Sequence, residues 1–211
     1  MMVTMAISDP ETPGSTPPEK PLTVEDLARM PDDGQIYELA DGRLDVTPAP
    51  ASPHTRAETR LSWQLINSAP EDVEIQTGPG VTLNDQRTSH RIPDVAVFRA
   101  GALERPYFTT PPLLAVEVVS PESVLRDHHR KKREYAAFGV ESYWIVDPSL
   151  EKPGIIELRL SDGEYTEVTQ VLGDDVFATK QPFPVRIVPT WLVADGPWRR
   201  HIGGEADTPG R

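Results

Sequence analysis

Leu113-Leu114-Ala115-Val116-Glu117-Val118-Val119 is the most continuous apolar run in the chain. Uninterrupted runs of this kind form strands covered on both faces, so the stretch predicts a central strand of a sheet. Glu117 is its one charge, and a carboxylate buried without compensation costs several kcal/mol. It requires a basic partner, a proton or a metal ion; a salt bridge at the strand end is the simplest of these.

Working outward, Arg126–Phe138 has helical spacing and stops at Gly139, a residue suited to the left-handed C′ position. Ser142–Val146 (SYWIV) is a second buried strand, and Asp147-Pro148 ends it. On the other side, Asp94–Phe98 (DVAVF) is a strand entered through Pro93. Upstream, Gln35–Leu39 and Arg43–Val46 flank Asp41-Gly42, a two-residue hairpin signal. Residues 53–66 carry apolar side chains at 57, 61, 65 and 66, the spacing of a helix, with Pro53 in its first turn. Thr23 with Asp26 resembles a capping box opening a short helix over Val24–Met30. Short strands are predicted at Val73–Thr77, Gly80–Leu83 and Val185–Val188. Ile155–Leu160 and Tyr165–Val171 make a second hairpin around Ser161-Asp162-Gly163. The sum is an α/β or α+β domain, a mixed sheet flanked by helices. Residues 22–195 form this domain, between tails at 1–21 and 196–211 whose composition reads as disordered.

Composition limits the partners. The chain has 211 residues and no cysteine, which excludes disulfides and thiolate metal sites. It lacks a secretory leader and any apolar run long enough to span a membrane, and a cytoplasmic location is expected. The net charge is −12. Residues 1–34 contribute two basic residues against seven acidic ones, and the remainder is acidic too. Contact with nucleic acid must therefore be local and helped by cations.

Asp94 and Glu117 stand at the mouth and in the middle of two buried strands. If those strands are neighbours, the two carboxylates converge, and a divalent cation between them relieves their repulsion. Oxygen donors of this kind suit Mg²⁺ or Mn²⁺. Asp127, Lys131 and Tyr135 fall at i, i+4 and i+8 on the helix that follows the Glu117 strand, one stripe facing the strand end. Lys131 there can orient or deprotonate a water and neutralise transition-state charge; a surface pair with Asp127 is the blander alternative. Arg126, Arg130, Lys131, Lys132 and Arg133 give an acidic chain one cationic strip able to meet phosphates. His54 opens a helix after Pro53 and is either a capping residue or substrate-facing. His128 and His129 are adjacent, share no helical face and form no zinc pair. Tyr143 and Trp144 are expected in the core.

The succession YELADGRL, SPH at a helix start, RIPDVAVF, LAVEVVSP, D-x-x-x-K-x-x-x-Y and GVESYWIVDP resembles the Uma-two family, bacterial restriction endonucleases of the PD-(D/E)XK superfamily. The likeness runs from about Val24 to Leu192. It implies a restriction endonuclease-like core and DNA phosphodiester hydrolysis with Mg²⁺. It also implies a metal held by Asp94, Glu117, the Val118 carbonyl and Glu38 of YEL. In the superfamily a lysine stands two residues after the glutamate; that position here is Val119, so the resemblance implies that Lys131, or less favourably Lys132, supplies the amine. A non-catalytic scaffold on the same fold and a phosphodiesterase for a small or modified nucleic-acid substrate are the competing readings. Apolar edge strands point to a homodimer.

Overall fold

Five adjacent strands are welded by ladders of main-chain hydrogen bonds into most of one sheet, and a sixth completes its edge. The computed structural model describes residues 20–119 and 126–204, without the side chains of residues 126–128. Most of the tail expected at 1–21 lies outside the described residues.

The chain runs α1 (Val24–Leu27), the hairpin β1 (Ile36–Ala40) and β2 (Arg43–Thr47), then α2 (Ser52–Ser68). It continues through β3 (Val73–Thr77), β4 (Val81–Thr82), β5 (His90–Arg91), β6 (Val95–Arg99) and β7 (Leu114–Val118). After α3 (Arg126–Phe138) come β8 (Ser142–Asp147), β9 (Gly154–Ser161), β10 (Glu164–Leu172), β11 (Phe177–Thr179), β12 (Val185–Ile187), α4 (Thr190–Val193) and α5 (Trp198–His201). The main sheet has the order β10-β9-β8-β7-β6-β3, and a smaller one the order β2-β1-β5-β4. Only β7 and β8 are parallel in the main sheet, because α3 carries the chain back between them. All the other pairs are antiparallel.

The hairpin between β1 and β2 turns on Asp41 and Gly42, both at positive φ. A Cβ at Gly42 meets the Pro21 side chain at 2.4 Å, so both the turn and the close approach require glycine there. Thr23 donates its N–H to Asp26 Oδ2 at 2.9 Å, the expected cap, but the helix it opens spans one turn and stops at Leu27.

Side chains alternate across the main sheet. Val95, Val97, Val116, Val118 and Trp144 face α2, where Ala57, Leu61 and Leu65 meet them. Ala115 and Tyr143 face α3, against Tyr135 and Val140. Tyr143 and Trp144 are fully buried, as expected for a strand covered on both faces. Ile66, read as part of the helical apolar stripe, is instead 60% exposed: it lies about 100° around α2 from Leu65.

The C-terminal boundary also moves. Residues 196–204 were expected to fray, yet Trp198 packs edge-on against Trp63 at 5.2 Å and Ile202 is 1% exposed in the α2-side core. Ile202 donates its N–H to the Trp198 carbonyl, and its own carbonyl accepts from Val188 at 2.7 Å. Ile202→Asp is expected to destabilise the fold by ~3 kcal/mol, because it buries an unpaired carboxylate. Urea unfolding measures this, and an unchanged midpoint would return the segment to the status of a tail.

Candidate active site

The site lies where β6 and β7 end side by side. Val95 pairs with Val116, so one step further along the antiparallel ladder Asp94 comes opposite Glu117. Pro93 fixes the entry to β6, and the Asp94 side chain turns back across the strand end. Its Oδ2 accepts the Val118 N–H at 2.6 Å, and its Oδ1 lies 3.0 Å from His54 Nε2. The two acids singled out in the sequence are thus neighbours.

Glu117 is 7% exposed, and both its oxygens face α3. Lys131 Nζ donates to Oε2 at 2.9 Å and the Tyr135 hydroxyl donates to Oε1 at 2.7 Å. The i, i+4 stripe of α3 therefore grips the strand carboxylate from two sides. Position 119, where the motif lysine would stand, is a buried valine. The side chain of Asp127, the first member of that stripe, lies outside the described residues.

Glu38 reaches the same cluster from β1. Its Oε1 accepts the Ile92 N–H at 2.7 Å; its Oε2 accepts from Arg91 at 3.1 Å and lies 3.4 Å from Lys131 Nζ. Arg91, 2% exposed, binds three carboxylates: Glu38, Asp45 at 3.1 Å, and Glu134 through two parallel bonds of 2.6 and 3.0 Å. Glu38 is therefore committed to a buried arginine and a main-chain amide.

On the other flank, α2 presents His54 and Glu58, one turn apart. Together with Asp94 they place three potential metal-binding atoms within 4.8 Å of one another. Glu58 was missed in the sequence. Glu58 lies three residues before Leu61 and His54 three before Ala57, so both border the buried stripe Ala57, Leu61, Leu65 as polar residues at its N-terminal end, and that change was the available signal.

Among the described residues charge does not balance here. Lys131 faces Glu117 and Glu38, Arg91 is occupied by Glu38, Asp45 and Glu134, and Asp94 and Glu58 have only His54. Burial pushes the Glu117 carboxyl up to about 7; Lys131 pulls it back, while Asp94 and Glu38 add to the rise. Burial and the Asp94 charge raise Glu58, against a lowering by His54. Burial alone lowers His54, but its bond to Asp94 and the charges of Asp94, Glu58 and Glu117 leave it raised. Burial also opposes the charge of Lys131, and Glu117 with Glu38 outweigh it, so the ammonium stays protonated.

The cationic strip expected on α3 is largely folded inward. Lys131 points to Glu117, and Arg130 bonds to Glu134 at 3.0 Å and sits 3.5 Å from Asp45. Of the rest, Arg133 is exposed, Lys132 is half-buried, and the Arg126 side chain lies outside the described residues. Arg199 and Arg200 on α5 add two exposed charges that the sequence reading left out. Among the described residues no helix is long and apolar enough to cross a membrane.

The fold is shared with the crystal structure of "a putative nuclease belonging to DUF820" from Anabaena variabilis, at a TM-score of 0.59 and 15% sequence identity. That alignment covers 75% of this chain and 89% of the other. The likeness is one of fold: a mixed sheet flanked by helices, as the sequence implied. No curated protein matches the chain. A family model described as "Putative restriction endonuclease" matches residues 24–195, nearly all of the folded region, and by that match the chain belongs to the Uma2 family.

Proposed function

We propose that the protein is a divalent-cation-dependent endonuclease that hydrolyses DNA phosphodiester bonds at the β6–β7 strand ends. The observation that carries this reading is the surplus of carboxylates there. Among the described residues Asp94 and Glu58 meet at His54, Glu117 stands beside Asp94 on the neighbouring strand, and burial together with the Asp94 charge raises both Glu117 and Glu58.

The donor set fits Mg²⁺ or Mn²⁺, since carboxylate oxygens dominate. Asp94 and Glu58, whose oxygens already lie together, would hold the ion, and Glu117, opposite Asp94 on the β6–β7 ladder, and the Val118 carbonyl would be further donors. His54 either joins as a nitrogen ligand, which favours Mn²⁺, or orients Asp94 from behind as hydrogen-bond partners of ligating carboxylates do. Glu38 acts instead through Arg91 and Lys131, not as a ligand. When bound, the ion supplies Lewis acidity, making a water more acidic and stabilising charge on the phosphate.

The chain's own residues do the rest. Lys131 holds a positive charge beside Glu117, placed to neutralise phosphate oxygens as the water oxygen bonds to phosphorus and the ester P–O bond breaks. Tyr135 and Lys131 fix the rotamer of Glu117, and Val118 N–H with His54 fixes Asp94. Lys132 and Arg133 on α3, with Arg199 and Arg200 on α5, are among the accessible cations that would meet a phosphate backbone, few enough that the salt dependence of binding should be shallow.

The test is incubation of the full chain with supercoiled plasmid and single-stranded DNA under a Mg²⁺ and Mn²⁺ titration. Nicking or linearisation that disappears in chelator and returns with added cation is expected. Cleavage that persists in excess chelator, or none at any cation concentration, would overturn the proposal.

A further inference from the structure

Arg91 lies three residues before Asp94, on the two-residue strand β5, and is nearly inaccessible to solvent. It touches neither the proposed metal ligands nor Lys131, yet it makes more charged contacts than any other described side chain around the site. Its three partners come from three elements: Glu38 from β1, Asp45 from β2 and Glu134 from α3. The bond to Glu134 is two-pronged, which fixes direction as well as distance. Glu134 stands three residues after Lys131, so the two are neighbours on the surface of α3.

We infer that Arg91 is a positioning residue for the Lys131 amine. By gripping Glu134 it sets the rotation of α3 about its axis. By holding Glu38 it stops that carboxylate from drawing Lys131 away, although Glu38 Oε2 is only 3.4 Å from Nζ. Lys131 therefore stays on Glu117, at 2.9 Å. A lysine at position 119 would be placed by the strand itself. An amine delivered from a neighbouring helix needs that helix locked, and Arg91 is the lock. The kinetic consequence rests on the nuclease reading, whereas the placement of the amine does not.

The full chain is compared with Arg91→Lys, Glu134→Gln and the double variant. Two quantities are read: kcat and KM for plasmid cleavage, and the rate at which acetic anhydride acetylates Lys131 relative to Lys132 and Lys180, by peptide mass spectrometry. Each single variant is expected to lower kcat about tenfold with KM within about twofold, because a misplaced group fails in the transition state more than in binding. Acetylation of Lys131 should rise several-fold while the reference lysines stay constant. Arg91→Lys loosens both Glu134 and Glu38 whereas Glu134→Gln loosens the first alone, so the double variant should be no worse than Arg91→Lys. Unchanged Lys131 labelling in folded variants, or kcat losses that multiply, would overturn the inference. Should Arg91→Lys fail to fold, Glu134→Gln, from the partner's more accessible side, carries the same comparison. Raised labelling in a protein whose wild type cleaves no DNA would support the clamp and reject the nuclease reading.

Discussion

Asp94→Asn is expected to reduce DNA cleavage by at least about 10³-fold while leaving the fold as stable as the wild type or more so. Asn keeps an oxygen for the Val118 N–H, which the aspartate accepts at 2.6 Å, so no buried donor is orphaned. What disappears is one negative charge from a cluster that has too many. Both Glu117 and Glu58 are raised in part by Asp94, and removing it relieves them. A functional carboxylate held at the expense of stability is recognised by this opposition of effects. Plasmid cleavage and thermal unfolding on one preparation measure both. Loss of activity with a large fall in Tm would instead make Asp94 a structural residue.

Lys131→Met should cost about 10²–10³-fold in kcat, the range for removing one preorganised electrostatic contact. Methionine fills the volume of the stem without the charge. Breaking a buried pair from one side typically costs 3–5 kcal/mol, but here the stranded Glu117 can take up a proton, since burial already holds it near neutrality. The stability loss should therefore be about 1–2 kcal/mol at neutral pH and grow as pH rises. The sign follows from the direction of the shift: a carboxyl whose folded pKa lies above its unfolded value loses stability as pH climbs between the two. Adding Glu117→Gln should restore stability without restoring cleavage. Urea unfolding of the single and double variants at pH 6 and pH 8 separates these effects. Recovery of activity in the double variant would contradict the role given to both residues.

The parts of the fold legible in the sequence were those with long, unmixed patterns. LLAVEVV and SYWIV became neighbouring parallel strands, and the helix between them fell where its periodicity and Gly139 placed it. The strand expected at Gly80–Leu83 contains β4, but β5 is two residues long and has no period to read, so Arg91 in RIPD drew no assignment. The C-terminal segment looked like a tail because its apolar residues, Trp198 and Ile202, are isolated among charges; only docking against Trp63 and the α2-side core gives them a reason to order.

The site divides in the same way. Glu117 and Asp94 were conspicuous as charges in apolar strands, and Lys131 and Tyr135 followed from helical spacing. Glu58 was hidden because apolar positions were counted along α2 and polar ones on the same stripe were not. Strand alternation put Glu38 on a definite face but could not show what would cover it. Arg91 covers it, a contact between residues more than fifty positions apart. Local pattern identifies which side chains share a face, and tertiary packing decides which of them are spent on each other.

Calorimetric titration of Mn²⁺ into the metal-free protein, beside the Asp94→Asn variant, addresses the crowding of carboxylates without reference to any substrate. One site per chain, saturable at or below millimolar concentration and lost in the variant, is the result expected from Asp94, Glu117 and Glu58 needing a cation. No binding heat in the wild type, or equal binding in both proteins, would mean that protons and the existing ion pairs already satisfy these acids, and the site would not be a metal centre.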